Sequence, residues 1–164
     1  MSEINSGFAC SANHQHCIDD ALTAAKALCR EQQQRLTPIR ELVLRLIWQS
    51  HKPLGAYDLL PALAEAGFNS APPTVYRALE FLQEQGLVHR LASLNAYMGC
   101  NHPGKEHSGC FFICESCQQA LEIDANPIQQ TLNQQAKQMG FSIHKETIEV
   151  LGTCPTCLTN QDDA

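Results

Sequence analysis

No apolar run in this 164-residue sequence approaches the roughly 20 residues a membrane span requires, which excludes a helical membrane protein. The opening "MSEINSGFAC" lacks the basic start and apolar core of a secretory leader, so the expected location is cytoplasmic. A Gly-rich phosphate loop and a nucleophile elbow are both missing, and the expectation is that the chain is not an enzyme. Nothing repeats apart from paired cysteines, and no segment is low in complexity. What remains, 44% apolar and 17% charged residues, is the composition of a soluble globular protein with one good core or two small ones.

Cysteine, by contrast, is plentiful: there are nine, an odd number. In a reducing compartment this argues for metal ligands or reactive thiols rather than a disulfide scaffold. Four of them form two spaced pairs, Cys114 and Cys117 in "CESC" and Cys154 and Cys157 in "CPTC". Cys-x-x-Cys lets two thiolates of one tight turn bind the same ion, and a second pair completes a tetrahedral set, here a closed four-sulfur zinc site. The 36 residues between the pairs exceed the usual zinc-ribbon interval, so a whole helix must lie between them. Such a zinc contributes on the order of 10 kcal/mol to a small domain. Two catalytic readings fail. "HKE" at His144 to Glu146 matches the His-x-Glu of a deaminase, but Pro155 lies inside the cysteine pair rather than before it and the motifs are too close together. "CESC" is not embedded in the βαβ pattern of a thioredoxin.

The net charge of -6 is unevenly distributed, with eight Lys/Arg against six Asp/Glu between Lys26 and Arg90. A local basic excess serves a DNA-binding module because phosphate contacts depend on where the charges sit. This half reads as helical. Leu22, Ala25, Leu28 and Cys29 recur at helical spacing after Asp19 and Asp20. In "TPIRELVLRLIWQS", Thr37 is a suitable N-cap, Pro38 fits the first turn, and Ile39, Leu42, Val43, Leu46 and Ile47 form one buried stripe. A third helix is expected over Ala56 to Ala66, with Pro61 as an internal disturbance. The fourth, "APPTVYRALEFLQEQG", buries Val75, Leu79 and Leu82, stops at Gly86, and leaves Thr74, Tyr76 and Arg77 near its N-terminal end. Such a helix suits major-groove reading, Arg for guanine and hydroxyls for phosphate. Two strands, "LVHRL" and "AYMGC", follow across the turn Ser93 to Asn95, which completes the pattern of a winged helix-turn-helix. In the second half "GCFFI" and "ALEI" read as strands around the "CESC" turn. "PIQQTLNQQAKQMG" reads as a helix with Ile128, Leu132 and Met139 inward, and "FSIHKETIEVLG" as another strand.

The segments "RLTPIR", "PPTVYRALEFLQEQGLVHR", "CESC" and "CPTC" together resemble the ferric uptake regulator superfamily of bacterial metal-responsive repressors, and within it the zinc-uptake branch. The likeness covers roughly residues 22 to 158. It implies an α+β chain: an N-terminal winged helix-turn-helix domain over 1–98, with 1–18 as a flexible tail, a hinge over 99–108, and a small α/β dimerisation and metal-binding domain over 109–164. It further implies a homodimer that binds double-stranded operator DNA, with Arg35, Tyr57, Thr74, Tyr76 and Arg77 as candidate contacts. By the same resemblance His89, Cys100, His107 and Glu122 form a second, regulatory zinc site, making two ions per monomer. A thiolate in that set favours zinc over iron or manganese.

A ligand set drawn from wing, hinge and dimer domain implies a mechanism. Zinc selects domain orientations that place two recognition helices in successive major grooves, about 34 Å apart, and DNA and zinc strengthen each other's binding by the same factor. The implied output is a repressor that shuts off zinc-uptake genes, with no membrane and no small organic substrate as partner. Two alternatives stay open, an iron- or manganese-responsive regulator of the same superfamily and a zinc-stapled protein-interaction dimer that does not bind DNA. His102, two residues after Cys100, is a competing ligand expected to be solvated instead. Cys10, His14, His16 and Cys17 form an N-terminal cluster that reads as a frayed tail, and Cys29 and Cys110 as small buried apolar residues.

Overall fold

Helical periodicity accounts for most of the first half. The computed structural model describes residues 14–105 and 107–162, which fall into two units with those limits. In the first, α1 (His14–Glu31) buries Ile18, Leu22, Ala25 and Cys29, and α2 (Pro38–Gln49) buries Val43, Leu44 and Ile47. The remaining stripe residues Ile39, Leu42 and Leu46 pack partly buried against the same core. Thr37 stands at the N-cap of α2 and its carbonyl accepts the Glu41 amide at 2.9 Å, but its hydroxyl makes no capping bond. The helix expected from Ala56 is divided. A 3-10 turn, Ala56–Leu59, comes first and α3 (Leu60–Glu65) starts after it, so Pro61 falls in a first turn, where its missing N–H has no partner to lose. In α4 (Pro72–Glu84), Val75, Ala78, Leu79, Phe81 and Leu82 are buried. Gly86, at φ +67, ends it by letting the Leu87 amide turn back to the Leu82 carbonyl at 2.8 Å.

The wing consists of β1 (Val88–Leu91) and β2 (Ala96–Gly99), antiparallel with Val88 opposite Gly99. Its base is pinned by two hydrogen bonds between Leu54 and Tyr97, 2.9 and 2.8 Å, which periodicity gave no means of finding. The tail expected over 1–18 is corrected at its end. His14 already belongs to α1, where its Nε2 lies 3.2 Å from the Gln49 carbonyl and its ring stacks on His51 at 4.5 Å. Cys10 lies outside the described residues.

The second unit is a three-stranded sheet in the order β4-β3-β5, from β3 (Gly109–Cys114), β4 (Ala120–Glu122) and β5 (Thr147–Gly152). The short β4 returns antiparallel to β3. The parallel strand β5 is reached through the crossover helix α5 (Asn126–Gln138), as a parallel pair requires. Residues Phe141 to Glu146, expected to extend the last strand, stay outside it. The inward face expected of α5 is also corrected. Ile128 and Leu132 are each 38% exposed and Met139 81%, while only Ala136 of the helix is buried, because three short strands have too little surface to cover the rest. A terminal helix, α6 (Pro155–Asp162), was not anticipated, although Pro155 in its first turn is a start signal. Among the described residues no helix is long and apolar enough to cross a membrane.

Candidate metal centres and nucleic-acid surface

The four-sulfur set is assembled by the end of β3, the turn after it, and the approach to α6. Cys114 closes β3, the Gln118 amide returns to the Cys114 carbonyl at 2.8 Å, and Gln118 takes φ +61 to make the turn tight. Parallel pairing of Cys114 with Gly152 carries the chain end to the same place, and Cys154 and Cys157 follow. The four sulfurs lie within 4.8 Å of one another, and Cys117 Sγ is 3.8 Å from Cys154 Sγ. A tetrahedral zinc with Zn–S bonds of about 2.3 Å requires S···S edges of about 3.8 Å, so the donors fit.

Electrostatics point the same way. The amides of Cys117 and Cys154 direct their hydrogens at the Cys114 sulfur and hold its thiol down to about 6, the Cys154 amide at 3.3 Å. Cys157 is pushed up to about 12, first by its hydrogen bond with Cys154 and then by burial. Cys117 is also raised, since burial and its bonds to Cys114 and Cys154 outweigh the opposing Gln119 amide. One thiolate is stabilised, while Cys117 and Cys157 hold their protons until a cation replaces them.

The regulatory quartet is presented as two pairs, one in each unit. In the first, His89 of β1 and Cys100, the residue after β2, bring a ring nitrogen and a sulfur within 4.8 Å of each other. Cys100 is 2% exposed, and its amide donates to the Leu87 carbonyl at 3.0 Å. The Trp48 indole lies so close to Gly99 that a Cβ there would meet it at 2.4 Å, which fixes the backbone just before the thiol. In the second unit His107 Nε2 and Glu122 Oε1 are 2.7 Å apart, with the Glu122 side chain 3% exposed. Shared ligation of zinc would set these atoms somewhat farther apart, with the ion in place of the proton between them. His102 is exposed. His16 pairs with Asp20 at 3.4 Å and His14 turns to Gln49, and among the described residues of the N-terminal cluster no metal-holding group forms. Cys29 and Cys110 are buried as expected, and burial raises both thiols.

The candidate DNA contacts divide by exposure. Arg35, Tyr57 and Arg77 are exposed, Tyr57 at 66%, whereas Thr74 is half-buried and Tyr76 packs partly against the core. Arg40, not singled out in the sequence, is engaged internally: it donates to the Arg35 carbonyl at 2.6 Å and lies 3.6 Å over the Phe81 ring.

Residues 31–151 match the model of the ferric uptake regulator family. The chain is 39% identical over 140 residues to the zinc uptake regulation protein of Escherichia coli (strain K12), spanning 85% of this chain and 82% of that protein. It is similar to the solved structure of a zinc uptake regulator complexed with zinc and DNA, at 38% identity and a TM-score of 0.84 over 88% of this chain and 97% of that one. To the crystal structure of holo XcZur the values are 44% identity and 0.78, over 86% and 99%.

Proposed function

This chain belongs to the ferric uptake regulator family, and from that premise we propose that it is a zinc-responsive transcriptional repressor, binding operator DNA as a zinc-loaded homodimer and shutting off zinc-uptake genes. The observation that carries zinc rather than iron or manganese is Cys100, a buried thiol within ligating distance of the His89 ring. Two ions per monomer follow from this reading, one held by Cys114, Cys117, Cys154 and Cys157 and one shared by His89, Cys100, His107 and Glu122. Bound Zn²⁺ supplies a centre that accepts four donors at fixed angles. The residues of the chain do the rest. His89 and Cys100 commit the wing to this site, and His107 and Glu122 commit the second unit, giving up their mutual hydrogen bond as they do so. Restraint of the wing restrains α4, whose Arg77 and Thr74 face the DNA, and by linkage DNA raises the affinity for zinc by the same factor. The homodimer is supported by the apolar residues the second unit leaves uncovered, and a cytoplasmic location follows from work on operator DNA.

The test is zinc per monomer before and after mild chelation, combined with operator binding by Cys100→Ser. Two zincs, one removable from an intact dimer, are expected. The variant should stay folded and dimeric while its zinc-dependent operator affinity falls about 10³-fold or more, to the non-specific level. A single tightly held zinc, or a normal zinc response in the variant, would overturn the regulatory site.

A further inference from the structure

Among the described thiols outside both metal sets, Cys29 and Cys110 are buried and Cys17 is not. Cys17, half-buried on the first turns of α1, opens on a cavity of about 300 Å³ inside the first unit whose walls include Asp20, Trp48, Leu87, Cys100 and Pro103. Cys100 therefore lies on the same cavity as a second cysteine. We infer that Cys17 and Cys100 form an oxidisable pair, a modification site at which a hydroperoxide locks the zinc-depleted protein out of its repressing state by blocking zinc reloading; this rests on Cys100 being a ligand of that zinc.

The geometry assigns the two thiols different parts. Cys17 is the accessible one. Cys100 is 2% exposed and held by the hydrogen bond its amide donates to the Leu87 carbonyl and by Trp48 against Gly99. The cavity has room for a molecule little larger than water, whose share of liquid volume is about 30 Å³. The Cys17 thiolate attacks a peroxide oxygen, an S–O bond forms, the O–O bond breaks, and hydroxide leaves to take up the proton Cys17 released. The Cys100 sulfur then attacks the sulfenic sulfur, the S–S bond forms, the S–O bond breaks, and the second water leaves with the Cys100 proton. With hydrogen peroxide, two thiols are oxidised and one peroxide is reduced to two waters. A disulfide needs its two Cα atoms within about 7 Å, so the bond forms only in conformers that bring the first turns of α1 that close to the end of β2. A Cys100 sulfur engaged with zinc cannot resolve the sulfenic acid, and zinc thus protects the repressor.

The experiment treats full-length protein with hydrogen peroxide in two states, with regulatory zinc loaded and with it removed by mild chelation. Remaining thiols are then alkylated and cross-linked peptides read by mass spectrometry. A Cys17–Cys100 peptide is expected only in the zinc-depleted state, and that sample should recover zinc-dependent operator binding only after reduction. Cys17→Ser should abolish the cross-link and leave operator binding of the reduced protein unchanged. Cys17 found paired with Cys10, or still reduced while the four-sulfur cysteines are oxidised, would overturn the proposal. Equal cross-linking in both zinc states would support the pair and instead remove Cys100 from the zinc site.

Discussion

Leu63, Val75 and Leu79 in the first unit are fully enclosed by that unit's own helices, whereas Phe112, Val150 and Leu151 in the second are 41%, 44% and 50% exposed. The two units are stabilised by different means. Interlocking stripes on α1, α2 and α4 give the first a self-sufficient apolar core. The second has a three-stranded sheet, a crossover helix of which only Ala136 is buried, and four thiols gathered between β3 and α6. On the proposed reading, zinc and a second copy of the chain would replace the core it cannot build, as small domains commonly require.

The largest expected effect separates the units outright. Cys114→Ser should release the structural zinc and remove on the order of 10 kcal/mol from the second unit. Zinc analysis and sedimentation should then find a metal-poor monomer whose first unit keeps its helical circular dichroism; a zinc-replete dimer would refute the contrast. Leu79→Ala is the mirror experiment, expected to cost about 2–5 kcal/mol in denaturant unfolding of the first unit while zinc content stays the same.

Acid sharpens the comparison further. At neutral pH zinc must displace protons from Cys117 and Cys157, both held up, but hardly from Cys114, which ionises at about 6. Affinity of the four-sulfur site therefore falls as pH falls, by at least about a hundredfold per unit, the share of those two thiols, and more steeply below about 6, where Cys114 also protonates. Competition against a chelator across pH measures that slope, and a flat profile would contradict it. The smallest effect is expected of Arg77→Ala, about 1–3 kcal/mol of operator affinity with both metals retained, read by a binding titration at several salt concentrations.

The first unit was largely legible in the sequence because its stripes are satisfied within the chain, and positions such as Val75, Leu79 and Leu82 have one face to turn to. The four-sulfur set was legible for a related reason, since two spaced pairs specify a tetrahedron without any knowledge of the path between them. Ile128, Leu132 and Met139 were misread because periodicity identifies an apolar face without indicating whether the cover comes from the same chain. The 3-10 turn before Leu60 and the start of β5 at Thr147 depend on local backbone accommodation that no spacing records. His107 and Glu122 meet because β3 and β4 pair across the CESC turn; the resemblance puts both in one ligand set, while spacing alone carries no sign of their 2.7 Å contact.

The close approach of Trp48 to Gly99 has an optical consequence. The chain contains one tryptophan, and its indole rests on the backbone one residue before Cys100, on the wall of the cavity that Cys17 shares. Tryptophan emission from this protein thus originates at a single point beside the Cys100 thiol, so its intensity and colour should follow events there without any attached label.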